Sequence, residues 1–432
     1  MKQLSNKKLI LISFMIFSMF FGAGNLIFPA FLGRASGSEV WLSMTGFIIS
    51  AAGLPILGII AIAKIGGLNA LGSRISPTFT LIFAIIIYIS IGPLMAIPRA
   101  ASVSFEMVVI PFLTDGYLDK AWPLMIYSIL FFCIVLWLSL SPSKLVDRFG
   151  KLLTPTLLIL ILIIFIKSIF TPLGGASLPT EAYEEASIFK GFLDGYLTMD
   201  LLGSLVFGIV IVNTIRTQGI EDRKSISKAM MIGGLGAGIL LTIIYCILGF
   251  LGSTSGIAFG EVENGTTVLT QVMGQLFGNG GSILLGVVFL IACLCVSIGL
   301  VISCSEYFAN IIPRLSYKQW VIAITIISAC IANLGLNTIL TFSVPILGMI
   351  YPIAVVIILL VFIEDWFNCN RYVYIFSVSL TAVYSIIVTL NSSLLNNNLD
   401  VLLNHIPLHT VGVGWVLPSI IGAIIGLFIK NK

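Results

Sequence analysis

Charge is what this sequence has least of. Asp, Glu, Lys and Arg make up 9% of its 432 residues, where soluble domains carry about a quarter. Hydrophobic residues take 58%. That balance excludes a water-soluble fold and predicts a polytopic membrane protein that sits in lipid. The net charge is only +4 and is scattered, which excludes nucleic acid as a partner. Histidine is nearly absent. His405 and His409 lie in a polar loop beside Asn396-Asn397-Asn398, so no apolar run offers an imidazole for a metal centre or a nucleophile–base pair. Of seven cysteines, six sit inside apolar runs and Cys369 in a short loop, which is no disulfide framework. Cys293-x-Cys295 has no His or carboxylate in its turn and makes no metal pair. There is no P-loop. An enzyme is not expected, nor is a resident cofactor.

What the chain has instead is long apolar runs. Twelve reach bilayer length, near 8–32, 40–63, 75–98, 122–140, 152–170, 192–215, 229–251, 279–312, 319–336, 339–363, 372–390 and 411–429. The start, with Lys2, Lys7 and Lys8 before the first run, imitates a signal peptide, but that run is too long. The eighth run is overlong and must tilt or project past the bilayer. Lys and Arg set the orientation. With the N-terminus inside, cytoplasmic segments hold 17 of the 22, from Lys2, Lys7, Lys8, Lys64 and Arg74 through Lys144 and Arg148 to Arg371, Lys430 and Lys432. Outer loops hold only Arg34, Lys120 and Lys190, and are otherwise acidic (Asp115, Asp119, Glu181, Glu184, Glu185, Glu261, Glu263). This predicts a cell-membrane protein with both termini cytoplasmic.

The first run is interrupted halfway by Phe20-Phe21-Gly22-Ala23-Gly24-Asn25. Each Gly costs roughly 1 kcal/mol relative to Ala inside a helix, and backbone can lose its helical bonds at membrane depth only beside protein or a watery cavity. The stretch therefore predicts two half-helices, the second aiming free N–H groups at a cavity. The sixth run is interrupted at the corresponding place, through Gly195-Tyr196-Leu197-Thr198-Met199-Asp200. Paired interruptions in two halves mark a transporter's binding site. Residues 8–170 and 192–363 each hold five runs, and an odd number inverts the second block. The expected fold is thus all-α, with twelve transmembrane helices in a single domain. It is a five-plus-five inverted repeat with broken first and sixth helices, followed by two extra helices in 372–429.

Phe21-Gly22-Ala23-Gly24-Asn25-Leu26-Ile27-Phe28-Pro29 resembles the first-span signature of the bacterial branched-chain amino acid:cation symporters, the BrnQ-type carriers. So do Gly92-Pro93-Leu94-Met95-Ala96-Ile97-Pro98-Arg99, Gly195-Tyr196-Leu197-Thr198-Met199-Asp200, Ile291-Ala292-Cys293-Leu294, Ser343-Val344-Pro345 and Tyr351-Pro352. The resemblance runs through essentially the whole chain. It implies a leucine-transporter-type fold and sodium- or proton-driven uptake of Leu, Ile and Val, with no obligate protein partner. A nutrient sensor with the same site is the alternative, although such proteins usually add a soluble signalling domain.

An amino acid brings a carboxylate, an ammonium and a side chain. The N–H groups of Ala23, Gly24 and Asn25 suit the carboxylate. Carbonyls near Phe20, Leu197 and Thr198, or the Asp200 side chain, suit the ammonium. Phe20, Met199 and Phe207 suit an apolar side chain. Asp200 is the most informative charge, because ionisable residues at span centre are functional by default. Arg99 and Glu106 are i,i+7 and are expected to form a structural ion pair at the end of the third span, with Glu106 near the outer surface. Glu306 reads as a solvated carboxylate. By the resemblance, a sodium site would use carbonyls of Ser18, Phe21 and Cys293 and the Ser297 hydroxyl. Val296 stands where such sites commonly have a second hydroxyl. Another cation site would use the Asn25 amide and Thr198.

Overall fold

A computed structural model describes residues 5–113, 121–141, 146–259 and 264–429, without the side chains of 146–148 and 150. Lys2, Lys120, Lys144, Lys430, Lys432, Asp115, Asp119, Glu261 and Glu263, and the Arg148 side chain, lie outside what is described, so their place in the charge pattern is left to the sequence. The described residues are helical throughout, with no strand. Nine helices among them are long and apolar enough to cross a membrane, and two shorter apolar ones follow at Tyr317–Ala332 and Val416–Phe428. Each of the twelve apolar runs holds helix.

The first run forms α1 (Asn6–Phe20) and α2 (Ala23–Ser36). Phe21 and Gly22 between them are extended. The break is closed locally, since the Asn25 side chain accepts a bond from the Gly22 N–H at 3.1 Å and supplies the acceptor a helix start lacks. Gly22 is required by proximity: a Cβ there would lie 2.7 Å from Val296 Cγ1. Pro29 inside α2 has no N–H to offer the Asn25 carbonyl.

The second run is α3 (Val40–Ile48) and α4 (Leu54–Ile65), joined by a π-helical turn. The third is longer than expected. α5 (Pro77–Ile89) passes a π-helical turn at Ser90–Leu94, kinked at Gly92, and continues as α6 (Ala96–Val108). The apolar run ends at residue 98 because Arg99 follows it, with Ser102, Ser104 and Glu106 beyond. The two hydroxyls are satisfied internally, Ser102 donating to the Pro98 and Ala332 carbonyls and Ser104 bonding Tyr127. Arg99 is thereby a buried mid-helix residue, and among the described residues it makes no ion pair with Glu106.

Next come α7 (Ala121–Ser139) and α8 (Thr154–Phe170). The sixth run is α9 (Ser187–Tyr196) and α10 (Asp200–Thr217), parted by Leu197, Thr198 and Met199. After α11 (Arg223–Thr254) and α12 (Gly265–Phe277) comes α13 (Asn279–Ile311). Its 33 residues would span about 50 Å at 1.5 Å each, well beyond a hydrocarbon core of about 30 Å. α14 (Tyr317–Ala332), α15 (Leu336–Ile363), α16 (Arg371–Leu394) and α17 (Val416–Phe428) complete the chain. Gly422 and Gly426 of α17 lie against the α16 backbone, where a Cβ would meet Phe376 O or Val373 Cα at 2.5 Å. This is close packing of small residues as membrane helices use it. A half-sunken ion cluster ties this end to the body: Glu364 meets Arg74 at 3.1 Å and Lys64 at 3.6 Å, and accepts from Tyr374.

Candidate functional site

The two breaks face each other. Asn25 Nδ2 donates to Asp200 Oδ2 at 2.5 Å and to Tyr245 Oη at 2.6 Å, and Tyr245 Oη donates to Asp200 Oδ2 at 3.0 Å. The three side chains close a triangle at full burial. Bonds to a charged group contribute about 1.5–3 kcal/mol each, which offsets part of the cost of a carboxylate at this depth. The second break is held by Thr198 Oγ1 donating to Gly195 O at 2.9 Å, and by the Leu201 N–H donating to Tyr351 Oη at 3.2 Å. Met199 takes φ +67° there, a left-handed conformation costly for a side chain with a Cβ.

A cavity of about 30 Å³ lies between them. Of the expected substrate residues, Phe20, Ala23, Gly24, Asn25, Thr198, Met199, Asp200 and Phe207 line it. Phe20 and Phe207 meet edge to face, 5.4 Å between centroids. Gly203 leaves room for both rings, since a Cβ there would come within 3.5 Å of each. Leu197 is the exception. It does not line the cavity, and its carbonyl, expected to be free for an ammonium, takes the bond from Arg99 Nη1 at 2.8 Å. About two waters fit in 30 Å³, too little room for an amino acid.

Arg99 is the lining residue that the sequence reading misplaced. The signal was present, a cation directly after Pro98 in an interrupted span. Tyr245 and Tyr351 gave no such signal. Ser18, Phe21, Cys293 and Ser297 are not among the residues that line the cavity. Ser297 Oγ is buried without a hydrogen-bond partner, Ser18 Oγ bonds the Met15 carbonyl, and the Cys293 thiol lies against the Ala23 N–H. Val296 does line the cavity, against Gly22.

A larger cavity of about 860 Å³ lies one turn of α10 away, lined by Tyr88, Leu205, Asn213, Arg216 and Tyr307 among others. Tyr88 and Tyr307 stack at 3.8 Å on its wall, and Tyr88 Oη donates to Val206 O at 3.4 Å. Glu306, expected to be freely solvated, is half-buried beside it and accepts from Asn213 Nδ2 at 3.0 Å.

A family profile described as branched-chain amino acid transport protein matches residues 5–432. The chain belongs to that family. The branched-chain amino acid permease BraB of Bacillus subtilis (strain 168) is 47% identical, over 97% of this chain and 95% of its own. The branched-chain amino acid transport system 2 carrier protein of Pseudomonas aeruginosa is 40% identical, over 99% and 97%. The permease BrnQ of Escherichia coli (strain K12) is 38% identical, over 98% and 96%. The resemblance read from the first span is borne out. Members of this branched-chain amino acid transport family are named permeases and carriers, not enzymes, and nothing among them supports the sensor alternative. Among solved structures, the chain is similar to Mhp1, a nucleobase-cation-symport-1 family transporter with bromovinylhydantoin bound (TM-score 0.61, 14% identity, 97% of this chain and 91% of that one). It is also similar to MhsT in complex with L-phenylalanine (TM-score 0.56, 15%, 98% and 100%). Both are leucine-transporter-type folds, and the chain is a multi-pass membrane transporter of that architecture.

Proposed function

We propose that this family member imports Leu, Ile and Val with a cation, by alternating access around the cavity where the two breaks meet. The observation that carries the reading is the pairing there of a buried carboxylate, Asp200, with the N-terminus of α2 and an aromatic pocket at Phe20 and Phe207. The twelve helices would form a single domain, an inverted repeat of 8–170 and 192–363 with 372–429 appended. Both termini would be cytoplasmic, and the 860 Å³ cavity would be the inner vestibule.

Sodium is the proposed coupling ion, a transported cargo rather than a resident cofactor. Ser297 supports it, since a buried hydroxyl without a hydrogen-bond partner suits a hard cation. The carbonyls of Ser18, Phe21 and Cys293 would complete the set. An apolar pocket distinguishes substrates by methylenes, at about 0.8 kcal/mol each, or about fourfold. Leu, Ile and Val should therefore compete within about tenfold, and Ala, three carbons smaller than Leu, about fiftyfold more weakly.

Labelled leucine uptake into proteoliposomes, with sodium and proton gradients imposed separately, tests this. The expected result is accumulation driven by inward sodium, with Ser297→Ala raising the sodium needed for half-maximal uptake. Uptake that ignores sodium and follows pH would overturn the sodium site. No uptake under either gradient would overturn the transport reading.

A further inference from the structure

We propose that the Arg99 guanidinium receives the α-carboxylate of the transported amino acid, opposite Asp200, which receives the ammonium. The assignment rests on the transport reading above and deepens it.

Arg99 is 4% exposed. A buried cation needs a counter-charge or a full set of acceptors; Asp200 acts on it only from beyond ion-pair distance, and its acceptors are incomplete. Nη1 donates to the Leu197 carbonyl at 2.8 Å. The guanidinium carbon stands 5.5 Å from the centre of the Phe28 ring. Nε is buried with no hydrogen-bond partner. Among the described residues no carboxylate lies within ion-pair distance. Asp200 lines the same cavity; its bonds from Asn25 and Tyr245 fall on Oδ2, and the Thr198 side chain is a further partner. One wall thus offers a planar cation with donors unspent, and another a carboxylate. That is the charge complement of a zwitterion.

Gly24 fits the same arrangement. A Cβ at Gly24 would lie 2.8 Å from Arg99 Nη2 and 3.1 Å from Phe28 Cε2. The glycine therefore keeps open the approach to the free edge of the guanidinium, next to the N-terminal end of α2. Arg presents its donors as a fork that matches a carboxylate in two bonds. The α2 N-terminus alone would select weakly for negative charge, and the guanidinium supplies the selectivity. The competing role is a clamp that merely holds the second break through Leu197.

Equilibrium binding to the purified full-length chain separates the two, using leucine and leucinamide. Leucinamide keeps the ammonium and side chain and replaces the carboxylate with a neutral carboxamide. Wild type should prefer leucine by about 100-fold, the size expected of two charge-assisted bonds. Arg99→Gln should bring the two ligands within about fivefold of each other. A clamp would weaken both alike and leave the preference intact, and that result would overturn the proposal. Should Arg99→Gln fail to fold, Gly24→Ala decides. Its Cβ crowds the guanidinium edge, so leucine affinity should drop more than leucinamide affinity and the preference should shrink. Equal loss of both ligands in Gly24→Ala would overturn the assignment. If wild type bound neither ligand, the transport reading itself would fall. If it bound both equally, only the role of Arg99 would fall.

Discussion

The two helix breaks share one cavity but are held open by different means. The first is closed by its own neighbourhood in sequence: Asn25 caps Gly22 three residues back, and a glycine removes the one atom that would clash with Val296. The second has a local bond too, from Thr198 to the Gly195 carbonyl, but it leans on distant elements as well. Tyr351 of α15 takes the Leu201 N–H, Arg99 of α6 holds the Leu197 carbonyl, and Met199 bears a left-handed backbone. The first break also touches distant residues, Asp200 and Tyr245 through Asn25, but its cap is local. A break held by other helices changes when those helices move, so the second is the one more open to motions of the rest of the fold.

The largest expected effect is at the point of contact between them. Asp200→Ala removes the shared acceptor of Asn25 and Tyr245, and should cut leucine uptake at least about 100-fold, as loss of two charge-assisted bonds implies. Initial uptake rates, normalised to folded protein, measure it. Near-normal uptake would mean that the breaks touch without functional consequence.

A middle-sized effect isolates the first break. Gly22→Ala should destabilise the fold by about 1–3 kcal/mol through overpacking, and Val296→Ala in the same chain should restore most of it. Unfolding free energies of the four proteins in micelles give the coupling. Additive losses would show that this glycine is not there to admit Val296.

The smallest effect isolates the second. At most helical positions Gly is less stable than Ala. At residue 199 the order should reverse by about 1 kcal/mol, because both variants lose the Met side chain and only Ala keeps the left-handed strain. Comparing Met199→Gly with Met199→Ala in the same unfolding assay checks the sign. Ala above Gly would remove strain from the description of this break.

The first break was legible because its devices are local and its residues rare in such a place: an unbroken helix in lipid has little use for Gly-x-Gly-Asn at its middle. The position of the second could be read too, from Thr198 and Asp200. Its construction could not. Met carries no sign of positive φ as Gly would, and Tyr245 and Tyr351 reach the breaks from far along the chain. Arg99 was lost for a simpler reason. An apolar run stops at a charge, so the span was ended at Arg99 itself, whereas the fold buries Arg99 and gives the Ser102 and Ser104 hydroxyls partners, and the helix carries on to Val108. Helices could be counted from apolarity, but which cation faces the cavity depended on where one of them stopped.

The tight lining around the central cavity also has a kinetic meaning. Room for two waters is not room for an amino acid, so Phe20, Phe207 or the Arg99 side chain must give way before or while a substrate enters. When such a rearrangement limits entry, the observed association rate levels off at high substrate instead of rising in proportion. Every substrate then meets the same ceiling. Substrates that enter at one common rate differ in how long they stay, and residence time, more than speed of capture, would separate leucine from its smaller relatives.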